Sequence, residues 1–270
     1  MEKEILTMED AAELFGVSIK TFIKLLKEEK VPGRKIGREW RFSRQALIAW
    51  LSAGDSQAYS ASEGETRAFF DEIATHWEAV RRDSYGETII NKLLELNVLT
   101  PTMLLVDLGS GDGYIARRVA PYVRQVLAVD ISGEMLRELK HKARGEGVKN
   151  IKTLQSDALD IPLPDGGADM VCANMYLHHI ESPPLAIKEM TRLLKPGGIA
   201  FLADYQEHAD TALMDEMHDI WPGFHPQTVR GWFAAEGFAA VQIHTLAGRT
   251  ADKEQASKEL FIIVALKEGC

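Results

Sequence analysis

Seven apolar runs of strand length follow one another in the chain after residue 100. They lie at 103–108, 125–130, 150–155, 168–174, 198–204, 239–245 and 260–267. Segments with the helical spacing of apolar residues separate the first five runs, which predicts parallel strands in one sheet covered by helices on both faces. Only a short polar segment separates the last two runs, so we expect that pair to be antiparallel. The pattern predicts an α/β fold for this part of the chain.

The first 52 residues have a different pattern, with short helices around a hairpin. A capping-box pattern at Thr7 and a capping serine at Ser18 predict two helix starts. The stretch 34–42 alternates around a central glycine, as a tight hairpin does. A third helix is predicted from Ser43 to about Leu51. This segment is therefore predicted to fold as a small separate domain.

Residues 53–64, AGDSQAYSASEG, are rich in small residues and lack an apolar period. They predict a linker of moderate flexibility. Two helices are predicted after it, at about 65–82 and 86–97. We therefore divide the chain into a head (1–52), a linker and a body (65–270).

The distribution of charge supports this division. The net charge of -9 argues against a chain that coats nucleic acid as a whole. The head, however, carries a net charge of +2, and the remainder carries -11. DNA therefore stays a candidate partner of the head alone.

Composition excludes several other classes of protein. No run of 18 apolar residues occurs, so no membrane span is expected. The first residues lack the basic and apolar regions of a secretory signal. Two cysteines, Cys172 and Cys270, cannot form a disulfide framework and favour a reducing compartment. We expect a cytoplasmic protein.

A glycine-rich turn follows the first predicted strand of the body. It reads VDLGSGDGY from Val106 to Tyr114. Tyr114 stands where a dinucleotide fingerprint has Gly or Ala, and no Walker lysine follows. The turn alone therefore indicates either a nucleotide site or only a tight strand-to-helix connection.

Polar residues at the ends of the next strands favour a nucleotide site. Asp130 ends the second predicted strand, where a carboxylate can accept hydrogen bonds from both hydroxyls of a ribose. Asp157 follows the third strand, within reach of an adenine amine. Lys195-Pro196-Gly197-Gly198 makes a sharp turn into the fifth strand.

These segments resemble class I S-adenosylmethionine-dependent methyltransferases of the small-molecule group. The resemblance rests on VDLGSGDG, VDIS, SDALDIPLPDGGADMV and RLLKPGGIAFLADY within residues 101–204, and extends over about 65–270. It implies a Rossmann-like, seven-stranded, mostly parallel sheet with helices on both faces. It also implies S-adenosylmethionine as cofactor and a small organic molecule as methyl acceptor.

The resemblance further implies which residues contact the cofactor. They are Asp107, Gly109, Ser110, Gly111, Gly113, Asp130, Ile131, Met135, Asp157, Ala158 and Asn174. It implies that Asp130 binds the ribose, and that Asp157 and Ala158 hold the adenine amine. Three aromatic residues before the sheet either cover the cofactor or pack in the core: Phe70, Trp77 and Tyr85.

The head resembles winged helix-turn-helix domains of the excisionase or MerR type over nearly all of residues 5–51. This resemblance implies DNA contacts from the second helix and the hairpin by Lys20, Thr21, Lys24, Lys35, Arg38 and Arg41. Ile19 and Ile23 stand where family members often carry polar or basic residues, so we expect weak DNA binding by a monomer. A docking or dimerisation role is the alternative. Because such domains usually read paired half-sites, a homodimer is expected.

Candidate acid–base groups follow the fourth and fifth predicted strands. His178, Asp204 and His208 are the candidate catalytic residues, and a general base is needed only if the acceptor arrives protonated. His178 and His179 are neighbours, so we expect their side chains to diverge and at most one to face the site. A structural role for either histidine is the alternative.

Segment 205–226 is long for a connection between a strand and a helix, and predicts a lid or binding loop. Within it, Trp221 and Phe224 either wall an organic substrate or pack the segment down. The three histidines of this segment are spaced by ten and seven residues, which fits no short ligand motif, so no metal site is predicted.

Missing motifs exclude two classes of DNA methyltransferase. Enzymes that methylate DNA amines carry a Pro-Pro-aromatic motif directly after the fourth strand, but Asn174 is followed by Met-Tyr-Leu. Cytosine-C5 enzymes need a Pro-Cys nucleophile, and neither cysteine follows proline. We therefore expect a small-molecule methyltransferase. The alternative is a transcription regulator whose body senses S-adenosylmethionine or a metabolite without turnover.

Overall fold

A computed structural model describes residues 3–19, 22–23, 26, 31–37, 39–85, 87–157, 159, 161–247 and 258–269, with the backbone alone at 51–65, 83–84, 213 and 215. The chain divides into two compact units, Met1–Glu65 and Thr66–Cys270. Within the described residues, no helix is both long and apolar enough to cross a bilayer.

The first unit has a small antiparallel sheet in the order β1-β3-β2. Its elements are β1 (Ile5–Leu6), α1 (Met8–Leu14), β2 (Arg34–Ile36) and β3 (Glu39–Ser43). Thr7 caps α1 through the predicted capping box, because its side chain accepts from the Asp10 amide while the Asp10 carboxylate accepts from the Thr7 amide. The predicted hairpin is confirmed as β2 and β3, which pair around Gly37.

An aromatic core holds this unit together. Phe22 and Phe42 are both buried, and their rings meet edge to face with centroids 5.2 Å apart. Ile19 and Ile23, by contrast, are 44% and 38% exposed. The described residues of the predicted second helix are helical: Ile19, Phe22, Ile23 and Leu26.

The third predicted helix is much longer than expected. It is α2 (Arg44–Ile73), and it includes all of residues 53–64, where the sequence predicted a linker. Alanine and serine are compatible with a helix, and the absent apolar period shows only that this stretch has no apolar face to bury. The boundary between the two units nevertheless lies at Glu65, one residue beyond the predicted linker.

The second unit is built on one seven-stranded sheet. Its strands are β4 (Leu104–Leu108), β5 (Gln125–Asp130), β6 (Ile151–Gln155), β7 (Ala168–Asn174), β8 (Leu194–Tyr205), β9 (Phe238–Ala247) and β10 (Glu259–Lys267). All seven predicted strands are confirmed. Their order is β6-β5-β4-β7-β8-β10-β9, in which the first five strands are parallel and β10 pairs antiparallel with both neighbours. The predicted Rossmann-like architecture is therefore present.

Helices pack on both faces of this sheet. They are α3 (Trp77–Ser84), α4 (Thr88–Glu95), α5 (Tyr114–Val119), α6 (Gly133–Gly145), α7 (Pro183–Leu193), α8 (Thr211–Met217) and α9 (Pro226–Ala235). Two apolar clusters form around the sheet, one including Ile89 and Phe201 and the other including Ile187 and Phe233.

The chain order reverses at β4, which has β5 on one side and β7 on the other. Open α/β sheets bind ligands in the crevice that such a reversal leaves at the carboxyl ends of the strands. The ends of β4, β5, β7 and β8 therefore form the candidate site.

Candidate active site

The glycine-rich turn after β4 requires glycine at three positions. Gly109, Gly111 and Gly113 have φ angles of 60°, 53° and 83°, which lie in the left-handed region. A Cβ atom on Gly109 would lie 2.5 Å from Cδ2 of Tyr176, and one on Gly113 would lie 2.5 Å from Cγ of Leu139. The left-handed backbone therefore favours glycine at all three positions, and close contacts also exclude a side chain at Gly109 and Gly113.

Two buried carboxylates hold this turn in place. Asp130 is 7% exposed and accepts hydrogen bonds from the amides of Gly111, at 2.7 Å, and Ser132, at 2.8 Å. Asp107 accepts from the Ala116 amide at 3.1 Å. Burial raises the pKa of Asp107 to about 8 and that of Asp130 to about 6, because these few hydrogen bonds only partly replace water.

The predicted adenine side of the site lies after β5 and β6. Met135 is buried, and Asp157 uses one carboxylate oxygen to accept from the Leu159 amide at 2.9 Å. Ala158 lies outside the described residues. Sequence analysis missed Asp71 of α2, which accepts from the Ser132 hydroxyl at 2.6 Å and so ties α2 to the start of α6. No motif marks such a residue, because the contact joins positions 61 apart in the chain.

Three buried oxygens in or beside the turn have no hydrogen-bond partner: Ser110 Oγ, Asp112 Oδ1 and Asn174 Oδ1. The amide nitrogen of Asn174 is engaged, since it donates to the Tyr85 hydroxyl at 3.3 Å. Buried acceptors without donors are costly, and an ammonium group supplies several donors at once. The residues present therefore fit the amino-acid end of S-adenosylmethionine.

Aromatic residues border the turn and the space beside it. The indole Nε1 of Trp77 would lie 3.4 Å from a Cβ atom on Gly111. Phe70 meets Trp77 edge to face at 5.4 Å and His179 at 5.0 Å, measured between ring centroids. The aromatic segment predicted as a cover or as core packing thus lies next to the glycine turn.

A cleft opens at these aromatic residues. Its lining combines apolar, aromatic and ionisable side chains from five parts of the body. They are Trp77, Val80, Arg81, Tyr85, Met175, His178, His179, Tyr205, Met217 and Asp219. Trp77 and Tyr85 connect this cleft with the glycine turn and Asn174, so the predicted cofactor residues and the cleft form one site.

Asp204 holds His178 from behind the cleft. The His178 Nδ1 atom lies 2.6 Å from Oδ1 of Asp204, which is fully buried. Asp204 also accepts from the amides of Leu177 and Tyr205, at 2.9 and 2.8 Å. Asp204 does not line the cleft. It therefore contacts His178 rather than the cleft, and its predicted catalytic role stays a prediction.

Both neighbouring histidines line the cleft, so the expectation that at most one would face the site is wrong. His178 and His179 belong to a 3-10 turn at Leu177–His179, and their ring centroids are 4.1 Å apart. Burial opposes charge on His178, but the Asp204 carboxylate outweighs it and raises the His178 pKa. Burial, reinforced by His178, lowers the pKa of His179 well below its usual value, so His179 is neutral near pH 7.

Asp219 is a second residue that sequence analysis missed. It lies just after α8 with its side chain 1% exposed, and its Oδ1 atom is 3.6 Å from His178 Nε2 and 3.4 Å from His179 Nδ1. Burial raises the Asp219 pKa to about 6. The His178 carbonyl accepts from the amides of Ile220 and Trp221, which fixes the segment that carries Asp219.

The remaining candidates of segment 205–226 lie outside the cleft lining. His208 accepts from the Asp210 amide at 3.3 Å, and burial lowers its pKa. Trp221 donates to the Ile180 carbonyl at 2.8 Å, and Phe224 is buried against Trp232. Trp221 and Phe224 thus pack the segment down, which was one of the two predicted roles.

The predicted DNA-contacting residues of the head are only partly described. Lys35 is exposed in β2, and Arg41 in β3 forms an ion pair with Glu39 and donates to the Trp40 carbonyl at 2.9 Å. The other four lie outside the described residues: Lys20, Thr21, Lys24 and Arg38.

Comparison with known families agrees with this geometry. Residues 106–202 match the model of the methyltransferase domain, and residues 5–55 match the model of a helix-turn-helix domain. The match to the methyltransferase domain contains the glycine turn, and the match to the helix-turn-helix domain corresponds to the head.

Curated relatives share the methyltransferase domain. The uncharacterized methyltransferase YcgJ of Bacillus subtilis is 29% identical over 143 residues, covering 53% of this chain and 56% of YcgJ. The demethylmenaquinone methyltransferase of Porphyromonas gingivalis is 33% identical over 140 residues, covering 49% of this chain and 57% of that protein. The chain thus spans about half the length of the curated relatives it matches.

Solved structures support the fold. The [4+2]-cyclase SpnF superposes with a TM-score of 0.65 at 18% identity, covering 77% of this chain and 97% of SpnF. A phosphoethanolamine N-methyltransferase of Haemonchus contortus, solved with phosphomonomethylethanolamine and S-adenosylhomocysteine, gives a TM-score of 0.62 at 15% identity, covering 73% of this chain and 57% of that one. At these identities the likeness concerns the fold alone.

Proposed function

We propose that this protein is an S-adenosylmethionine-dependent methyltransferase that acts on a small organic molecule. The observation that carries the proposal is that the glycine turn and the cleft adjoin each other in one site. The glycine turn presents buried oxygens without donors, and the cleft begins at Trp77 and Tyr85, which contact that turn and Asn174.

Different residues would bind the different parts of the cofactor. The glycine turn and Asn174 would receive the amino-acid end, and Asp130 the ribose hydroxyls. Ile131, Met135 and Asp157 would border the adenine. Asp130 keeps a lone pair for the ribose, because a carboxylate has about four acceptor sites and three amides, those of Gly111, Ile131 and Ser132, donate to it.

S-adenosylmethionine supplies an activated methyl group on a sulfonium when it is bound. The protein then has to align donor and acceptor and exclude water from between them. Such alignment can contribute roughly 7–11 kcal/mol to lowering the barrier. Trp77, Tyr85 and Tyr205 provide aromatic walls for this purpose, and buried Arg81, which pairs with Glu87 and lies over the Tyr114 ring, also lines the cleft.

The lining of the cleft supports an organic acceptor, because aromatic and apolar side chains combine there with a few polar groups, as in small-molecule sites. The relative from Porphyromonas gingivalis is named as a demethylmenaquinone methyltransferase. An aromatic-lined cleft is consistent with an organic acceptor of this general kind.

A screen of methyl acceptors with methyl-labelled S-adenosylmethionine tests the proposal. We expect label in a small hydroxylated, aminated or carbon-acid compound and equimolar S-adenosylhomocysteine. SpnF shares the fold and is named as a cyclase, so fold does not guarantee transfer. Cofactor binding without transfer to any acceptor class would contradict the proposal and favour a sensor of S-adenosylmethionine.

We also propose that the head binds DNA, with two copies of the chain on paired half-sites. The proposal is supported by the helix-turn-helix match over 5–55 and by the exposed Lys35 of the hairpin. Light scattering at several protein concentrations, with and without a duplex, tests it. A monomer in both conditions would contradict the paired arrangement.

A further inference from the structure

Three ligand-type atoms converge on one wall of the cleft. One ligand atom from each of His178, His179 and Asp219 lies within 4.8 Å of the other two. Asp219 Oδ1 is 3.6 Å from His178 Nε2 and 3.4 Å from His179 Nδ1. Within the described part of the chain, no other group of His, Cys, Asp and Glu side chains meets in this way.

Two of these atoms lack a hydrogen-bond donor. His179 Nδ1 and Asp219 Oδ1 are buried and have no hydrogen-bond partner, so their contact of 3.4 Å is not a hydrogen bond. Their side chains are only 8% and 1% exposed, and water therefore cannot readily satisfy them. Burying such groups without a partner costs free energy, so the arrangement calls for a cation at its centre.

The hydrogen bond behind His178 prepares it to bind a metal. The Nδ1 atom lies 2.6 Å from the Asp204 carboxylate and carries the ring proton there, which leaves the Nε2 lone pair toward Asp219. Metal-binding histidines characteristically donate their other ring nitrogen to a carboxylate in this manner. Asp204 thus orients the ring without itself reaching the cleft.

A proton could bind in place of a metal ion, but it would give a partner to fewer of the three atoms. A second proton on His178 would give Asp219 a donor at 3.6 Å. His179 Nδ1 would still lack a partner. A metal ion accepts lone pairs from all three atoms at once.

We propose that His178, His179 and Asp219 bind one divalent transition-metal cation. Two imidazoles and one carboxylate suit Zn²⁺ and other first-row transition ions, whereas Mg²⁺ and Ca²⁺ prefer oxygen ligands. Three protein ligands leave a position open, as in catalytic rather than structural zinc sites. Since all three residues line the cleft, that position faces the cleft.

The open position would receive an oxygen, nitrogen or sulfur atom of the methyl acceptor and lower its pKa. This placement rests on the proposed methyltransferase function, whereas the metal site does not. With His178 as a ligand, the cation takes the place of the histidine base expected from sequence.

Metal titration of the full chain, with no cofactor or acceptor present, tests the site independently of methyl transfer. After removal of metal by a chelator, Co²⁺ should give visible absorption bands that saturate at one equivalent and disappear when Zn²⁺ is added. Asp219→Asn should weaken the binding of Zn²⁺ at least about 10-fold. His141→Ala, an exposed histidine of α6, serves as the matched control and should bind like wild type.

A second variant separates ligand loss from misfolding. His179→Gln should weaken Zn²⁺ binding to a similar extent, and the metal-free variants should show the same urea unfolding profile as the metal-free wild type. Absence of stoichiometric Co²⁺ and Zn²⁺ binding to wild type would overturn the proposal. Equal Zn²⁺ affinity of wild type and both folded variants would overturn it as well.

Discussion

His178 Nδ1 and Asp204 Oδ1 lie 2.6 Å apart, in a region where both side chains are almost completely buried. This contact links the end of β8 to the turn that follows β7. It determines which ring nitrogen of His178 faces the cleft. The chemistry of the cleft therefore depends on a residue that does not line it.

Replacing Asp204 should destabilise the protein strongly. Asp204→Ala leaves the amides of Leu177 and Tyr205 and the His178 ring without their acceptor, which we expect to lower the free energy of unfolding by about 3 kcal/mol. Urea unfolding in the presence of a chelator measures the change without a contribution from bound metal. Asp165→Ala, at a carboxylate that is 81% exposed, is the control and should change stability by less than about 0.5 kcal/mol. Similar losses in both variants would contradict the role assigned to Asp204.

The glycine turn can be tested by comparing two glycines with similar backbone angles. Gly109→Ala introduces both a left-handed alanine and a contact of 2.5 Å with Tyr176. Gly147→Ala introduces only the left-handed alanine, since nothing lies within 4 Å of its Cβ position. We expect a cost of about 1–2 kcal/mol for Gly147→Ala and a clearly larger one for Gly109→Ala, measured by urea unfolding. Equal costs would show that the turn does not need the close approach of Tyr176.

Cofactor affinity should depend on pH through Asp130, whose pKa burial raises to about 6. Below this pH the carboxyl becomes protonated and loses acceptor capacity toward the ribose, so affinity should fall as pH decreases from 7 to 5. The decline should approach tenfold per pH unit well below the pKa. Calorimetric titrations with S-adenosylmethionine at several pH values measure it. Asp130→Asn should bind more weakly at pH 7 and show a flatter pH profile. A profile as steep as that of wild type would assign the titration to another group.

DNA binding by the head should weaken as the salt concentration rises, and the hairpin should contribute to this salt dependence. Lys35→Ala should reduce the slope of log affinity against log salt concentration by about 0.9, because one phosphate contact is lost. Fluorescence anisotropy with a short mixed-sequence duplex measures this slope. Lys188→Ala, an exposed lysine of α7, is the control. An unchanged slope in Lys35→Ala would leave the hairpin without a role in DNA binding.

The sheet and the cofactor side of the site could be predicted because both depend on local patterns. Apolar runs mark the seven strands, and the glycine turn and Asp130 come directly after two of them. Helix α2 was predicted incorrectly over residues 53–64, because small residues without an apolar period are compatible with both a linker and a helix.

The Asp219 side of the cleft could not be predicted, since it depends on how the segment after β8 folds back onto the turn that follows β7. Amides after Asp219 donate to the His178 carbonyl, which places residues 41 apart in one cluster. A 3-10 turn also brings both histidines to the cleft, although neighbouring side chains usually diverge. Such relationships arise from tertiary structure and leave no spacing in the sequence.

The most direct test of the account is calorimetric titration of S-adenosylmethionine into wild type and Asp130→Ala at pH 7.5. We predict one binding site per chain in wild type and at least about 10-fold weaker binding in the variant, which corresponds to about 1.4 kcal/mol. Equal affinities, or no binding to wild type, would contradict the assignment of the glycine turn and Asp130 as the cofactor site.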